Sequence, residues 1–111
     1  MWDKAHQLTL AVYGATRAFP KNELFGVASQ MRRASASIPA NIAEGGGRSG
    51  AKELARFMDI VMGSASELEY HCLLARDLAF LDTSTHSQLE TQIVEVKRML
   101  GAYIQKIRNT S

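Results

Sequence analysis

A single cysteine, Cys72, leaves no internal disulfide for the chain to form. A lone thiol fits a reducing compartment, so a cytoplasmic protein is expected. No apolar run approaches the roughly 20 residues needed to cross a bilayer, and no membrane partner is expected. Trp2-Asp3-Lys4 reads as the opening of a helix rather than a charged-then-apolar leader. Histidines are sparse as well: His6, His71 and His86. A di-iron bundle needs Glu-x-x-His on two helices. Here Glu67 stands four residues before His71, and no second copy follows. His71 beside Cys72 is too little for a zinc site. No Ser-His-Asp or Cys-His pairing has readable spacing. No metal, no cofactor, no catalytic residue and no small-molecule substrate are therefore expected, and the chain reads as non-enzymatic. The few aromatics (Trp2, Tyr13, Phe19, Phe25, Phe57, Tyr70, Phe80 and Tyr103) are scattered, which suits core or interface better than a base-stacking platform.

Strand signals are missing too, because no segment sustains a period of two. What is present is a three-four alternation of apolar or small residues. It runs through Ala5, Leu8, Val12, Ala15 and Phe19, and then Leu24, Ala28, Met31, Ser35, Ile38 and Ile42. It resumes at Leu54, Met58, Val61, Ala65, Leu68, Cys72, Ala75 and Ala79. The last set is Leu89, Ile93, Val96, Leu100, Tyr103 and Ile107. This spacing predicts helices near 2–18, 23–44, 50–80 and 84–108 in one domain spanning 1–111. Short connections make neighbouring helices antiparallel, so the expected fold is an all-α, up-down-up-down four-helix bundle. Asn22 and Ser49 are candidate N-caps, Gly45 is a stop signal, and Thr85 with Gln88 offers a capping box.

A chain of 111 residues buries only about two-thirds of its unfolded surface, so self-association would add to its core. Helix three carries a second stripe, Ile60, Gly63, Tyr70, Leu74, Leu78 and Leu81, which suggests that a further surface is covered. Gly63-Ser64-Ala65-Ser66 permits either close helix approach or a local bend.

The net charge is a modest +2, but it is unevenly placed. Residues 1–56 hold eight Lys/Arg against four Asp/Glu, whereas residues 57–111 hold five against seven. The basic set is Arg17, Lys21, Arg32, Arg33, Arg48, Lys52 and Arg56. At about 100° per residue, Arg33 points away from the Met31/Ile38/Ile42 stripe and Arg32 flanks it. Each arginine can fork onto phosphate or pair with a carboxylate of a neighbouring subunit. Arg17 and Lys21 flank one turn, Arg48 and Lys52 the other, and an alternating bundle puts these turns at opposite ends. The run Gly45 to Gly50 spells G-x-G-x-x-G, but a helix rather than a strand precedes it, and no Lys-Ser/Thr follows for a P-loop. A single phosphate held by Arg48, Ser49 and Lys52 remains open beside the plainer reading of a turn with an exposed arginine.

Pro39 falls well inside the second helix, where a proline costs about 3 kcal/mol unless its surroundings offset it. Gln30, Ser37, Asn41 and Glu44 line one side of that helix. They read as a structural polar seam that Ser64 and Glu67 on helix three could complete.

Several of these residues together carry a family resemblance. They are Trp2, Tyr13, Thr16, Phe19-Pro20, Glu23, Gln30, Arg32-Arg33-Ala34, the block Ser37-Ile38-Pro39-Ala40-Asn41-Ile42-Ala43-Glu44-Gly45, Arg48, Gly63-Ser64 and Glu67. The chain resembles the four-helix-bundle proteins encoded by intervening sequences of bacterial large-subunit ribosomal RNA genes. It is more distantly similar to the accessory protein of diversity-generating retroelements. The resemblance implies a ring-like homopentamer and brings no established activity. Relatives occur near or inside RNA elements, and the accessory protein associates with nucleic acid and a reverse transcriptase. The expectation is thus an oligomeric binding protein for structured RNA or a nucleoprotein. The competing reading is a homo-oligomeric protein scaffold whose arginines make intersubunit salt bridges.

Overall fold

The three-four alternation builds four α-helices around one apolar core. The computed structural model describes residues 1–23, 25–47 and 50–110. The helices are α1 (Trp2–Thr16), α2 (Val27–Gly45), α3 (Ala51–Asp77) and α4 (Thr83–Thr110). A 3-10 turn, Lys21–Glu23, precedes α2, and there is no strand among the described residues. Each helix packs only on its neighbours in chain order, and α4 closes the circle against α1. Leu8, Val12, Met31, Ile38, Met58, Val61, Leu68, Ile93, Val96 and Leu100 are fully buried between them. These are the expected inward positions. Leu24, placed in the second stripe by spacing, lies outside the described residues, as does the proposed cap Ser49.

The second stripe of α3 divides. Ile60, Tyr70 and Leu78 are exposed, whereas Leu74 packs against the core and Leu81 is buried. Leu74 stands in the same register to Cys72 and Ala75 as Ile60 does to Met58 and Val61, so helical spacing alone does not separate the two. Leu81 lies beyond the end of α3, where helical spacing no longer governs direction.

Helix ends also depart from expectation. Asn22 sits within the 3-10 turn and does not cap α2. The N-cap is Gly26, and Glu23 Oε2 accepts from the Val27 amide at 3.4 Å. Helix α3 stops at Asp77 rather than residue 80, because Ala79 takes a left-handed φ of 64°. The Phe80 amide then reaches back to the Ala75 carbonyl and the Ala79 amide to that of Arg76, both at 2.9 Å. This closing pattern normally uses glycine at the left-handed position. Ala79→Gly should therefore raise the unfolding free energy by about 0.5 kcal/mol. That is the net of relieved strain and added unfolded-state freedom, and urea denaturation would measure it. At the start of α4, Asp82 Oδ1 accepts from the Thr85 amide at 2.6 Å, so Asp82 caps the helix in place of the Thr85/Gln88 box. That bond holds the Asp82 carboxyl below its ordinary pKa.

Pro39 is accommodated from a distance. Lacking an N–H, it leaves the Ser35 carbonyl without its i+4 donor. The Thr9 hydroxyl of α1 donates to that carbonyl at 2.9 Å, shared with the Ala5 carbonyl at 3.1 Å. Thr9→Val should lower the unfolding free energy by about 1–2 kcal/mol. In a Pro39→Ala background the restored amide satisfies Ser35, and Thr9→Val should then cost less. Equal costs in both backgrounds, measured by urea denaturation, would refute this account.

Candidate nucleic-acid interface

The basic residues fall into three groups. Arg17 and Lys21 stand at the α1–α2 turn, both exposed and without an ion-pair partner among the described residues. That turn packs against the α3–α4 turn, with the Phe19 and Phe80 rings 5.5 Å apart. Lys52 and Arg56 open α3 at the other end of the molecule, about 40 Å away along a 27-residue helix. Lys52 has no ion pair among the described residues, while Arg56 lies 3.8 Å from Glu53. Arg48 lies outside the described residues. Between the ends, the two adjacent arginines of α2 diverge. Arg33 donates to Gln30 Oε1 at 2.6 Å and pairs with Glu67 of α3. Arg32 turns toward α1, where its Nε donates to Thr16 Oγ1 at 2.7 Å and its guanidinium lies 5.1 Å from the Tyr13 ring centroid.

The polar row on α2 serves mainly its own helix. Ser37 Oγ donates to the Ala34 carbonyl and Asn41 Nδ2 to the Ser37 carbonyl, each at 2.7 Å. Gln30 and Glu67 meet through Arg33, and Ser64 does not join them. Glu44 is exposed near the end of α2.

A separate row crosses the outer face of α1. Trp2, His6, Leu10, Tyr13 and Arg17 fall within a sector of about 80°. The Trp2 and His6 rings stack at 5.0 Å with 12° between planes. Trp2, Leu10 and Tyr13 remain 44%, 52% and 40% exposed. On α2, Ala36, Ala40 and Ala43 share the side of Arg32 and extend this surface with small side chains. Charge is uneven along the chain, although Lys4 pairs with Glu95 at 3.4 Å and Asp3 stands beside Trp2. From Lys4 to Ala43 there are five Lys/Arg and one acid, Glu23. From 50 to 110 there are eight acids and seven Lys/Arg, so the second segment is close to neutral. The signal for the row was present as the spacing 4, 4, 3 in Trp2, His6, Leu10 and Tyr13. A reading that follows only the core register of α1 passes over it.

Cys72 is buried, and its thiol is pushed up to about 12 by burial first, then by Glu69 and Glu90. A thiol held protonated is a poor nucleophile. Among the described residues no three His, Cys, Asp or Glu side chains are placed to hold a metal, and no helix is long and apolar enough to cross a membrane.

Four helices packed in chain order, with a basic aromatic side and no strand among the described residues, define an all-α helical protein. The chain belongs to the family described as 23S rRNA-intervening sequence protein, whose model matches residues 1–102. Its fold is similar to the crystal structure of a protein with unknown function from the S23 ribosomal protein family of Bacteroides thetaiotaomicron. The two are 20% identical, with a TM-score of 0.83 over 93% of this chain and 96% of that one. No curated protein matches the chain.

Proposed function

We propose that this chain is a non-enzymatic, self-associating protein that binds structured RNA or a nucleoprotein in the cytoplasm. The observation behind this reading is that the segment from Lys4 to Ala43 holds one acid, Glu23, and that Arg17 and Lys21 have no ion-pair partner among the described residues. Phosphate is the ligand such a surface attracts, with little sequence preference. The bundle in this reading is antiparallel, because its cross-helix pairs run in opposite senses. Thr9 meets Ser35 and Thr16 meets Arg32, while Glu69 meets Lys97 and Asp59 meets Arg108.

The exposed Ile60, Tyr70 and Leu73 on α3, with Leu78 just past its end, favour a second reading, a homo-oligomeric scaffold whose arginines bridge subunits. A homopentamer would weigh about 61 kDa, five times 12.2 kDa. Light scattering during size exclusion gives that mass directly, and a monomer at micromolar concentration would overturn the assembly. Affinity for an RNA hairpin should fall steeply between about 50 and 200 mM salt. Binding that ignores salt, or no binding, would leave the scaffold reading in its place.

A further inference from the structure

Charge explains attraction to phosphate but not the aromatic row beside it. We propose that Trp2 and Tyr13 form a stacking rail for unpaired bases, so that the α1–α2 face takes single-stranded nucleic acid. This rests on the nucleic-acid reading above and narrows it.

The geometry of the two rings carries the argument. Each is backed on one side by a protein group, Trp2 by the His6 imidazole and Tyr13 by the Arg32 guanidinium. Arg32 is itself held by Thr16, which fixes it over the ring. Each residue keeps two-fifths or more of its surface open. A base can therefore stack on a ring that is already oriented, and little side-chain freedom is lost when it does. Trp2 and Tyr13 are eleven residues apart on α1, or about 16 Å, which leaves room for several unstacked nucleotides between them. Leu10 fills the interval with apolar surface, and Ala36, Ala40 and Ala43 keep the adjoining wall of α2 low. Arg17 stands one turn beyond Tyr13 on the same face, and Lys21 follows it, so cations wait where the strand leaves the rail. A duplex hides its base faces in its own stack and offers these rings nothing.

Trp2 is the only tryptophan, so its fluorescence reports on the rail in the unmodified chain. The probes are an oligouridylate of about 12 nucleotides and an RNA duplex of the same length. Tryptophan emission and the anisotropy of labelled RNA are followed together. Emission should be quenched to saturation by the single strand and not by the duplex. Tyr13→Ala should weaken single-strand binding roughly five- to 150-fold, and Tyr13→Phe, which keeps the ring, should restore it. Equal affinity for both probes with no quenching would overturn the stacking rail while leaving the phosphate surface intact. Binding of neither probe would remove both. A change in light-scattering mass on Tyr13→Ala, with RNA affinity unchanged, would show that a second copy covers the row, and would overturn the proposal. The quenching arm uses the wild-type chain, so it decides even if Tyr13→Ala proves unstable.

Discussion

Leu68→Ala should lower the unfolding free energy by about 2–5 kcal/mol, whereas Leu78→Ala should change it by less than about 0.5 kcal/mol. Both are leucines of the third helical segment, and burial separates them. Leu68 has no exposed surface and sits on α3, the helix that packs against both α2 and α4. Truncating it removes apolar contact and opens a cavity that three helices must close around. Leu78 is 47% exposed just past the end of α3, so its loss leaves no enclosed space. A domain of this size has only about 5–15 kcal/mol of stability, so the first change consumes a large share of it. Urea denaturation followed by the helical circular-dichroism signal measures both. Similar costs for the two leucines would contradict the described core. A Leu78 cost that disappears on dilution would instead mean that a second copy covers it.

The inward faces were legible because they are local. Leu8, Val12, Met31, Ile38, Leu68 and Leu100 lie where three-four spacing puts them, and spacing needs no knowledge of the partner helix. What stayed hidden was the part that depends on distant residues. Pro39 announced a backbone problem, but its remedy is Thr9, thirty positions earlier in the chain, and nothing local links the two. Angular reasoning sent Arg33 away from the core stripe, yet it could not find Glu67 on the next helix. Ala79 gave no turn signal, because its left-handed conformation is imposed by the closing hydrogen bonds of α3 rather than by the residue. The candidate face was missed for a different reason. Its members obey helical spacing, but in a register offset from the core of α1, and single aromatics read one at a time look scattered.

Reversing Arg17 and Lys21 together, Arg17→Glu with Lys21→Glu, should weaken RNA binding on the order of tenfold or more at low salt. Both side chains are exposed and free of ion pairs among the described residues, so neither change dismantles an internal contact. Removing two phosphate contacts should also flatten the dependence of log affinity on log salt. The expected change in slope is about 1.4 for a single strand and about 1.8 for a duplex. Stability should move little, because exposed substitutions of this kind usually stay within about 0.5 kcal/mol. Arg33→Glu is a poorer test of the same surface. It removes the bonds to Gln30 and Glu67 and sets two carboxylates side by side, so any loss of binding is mixed with a change in packing between α2 and α3. Lys52→Glu supplies the contrast. Lys52 is also exposed and free of ion pairs among the described residues, but it lies at the opposite end of α3. If the α1–α2 side binds the nucleic acid, Lys52→Glu should change affinity far less than the paired reversal. Equal losses from both would mean that net charge alone governs binding. A loss confined to Lys52→Glu would move the contact to the far end of the bundle. The measurement is an anisotropy titration of one labelled RNA at two salt concentrations, with molecular mass checked in parallel. A fall in affinity accompanied by loss of assembly would assign Arg17 and Lys21 to contacts between subunits instead.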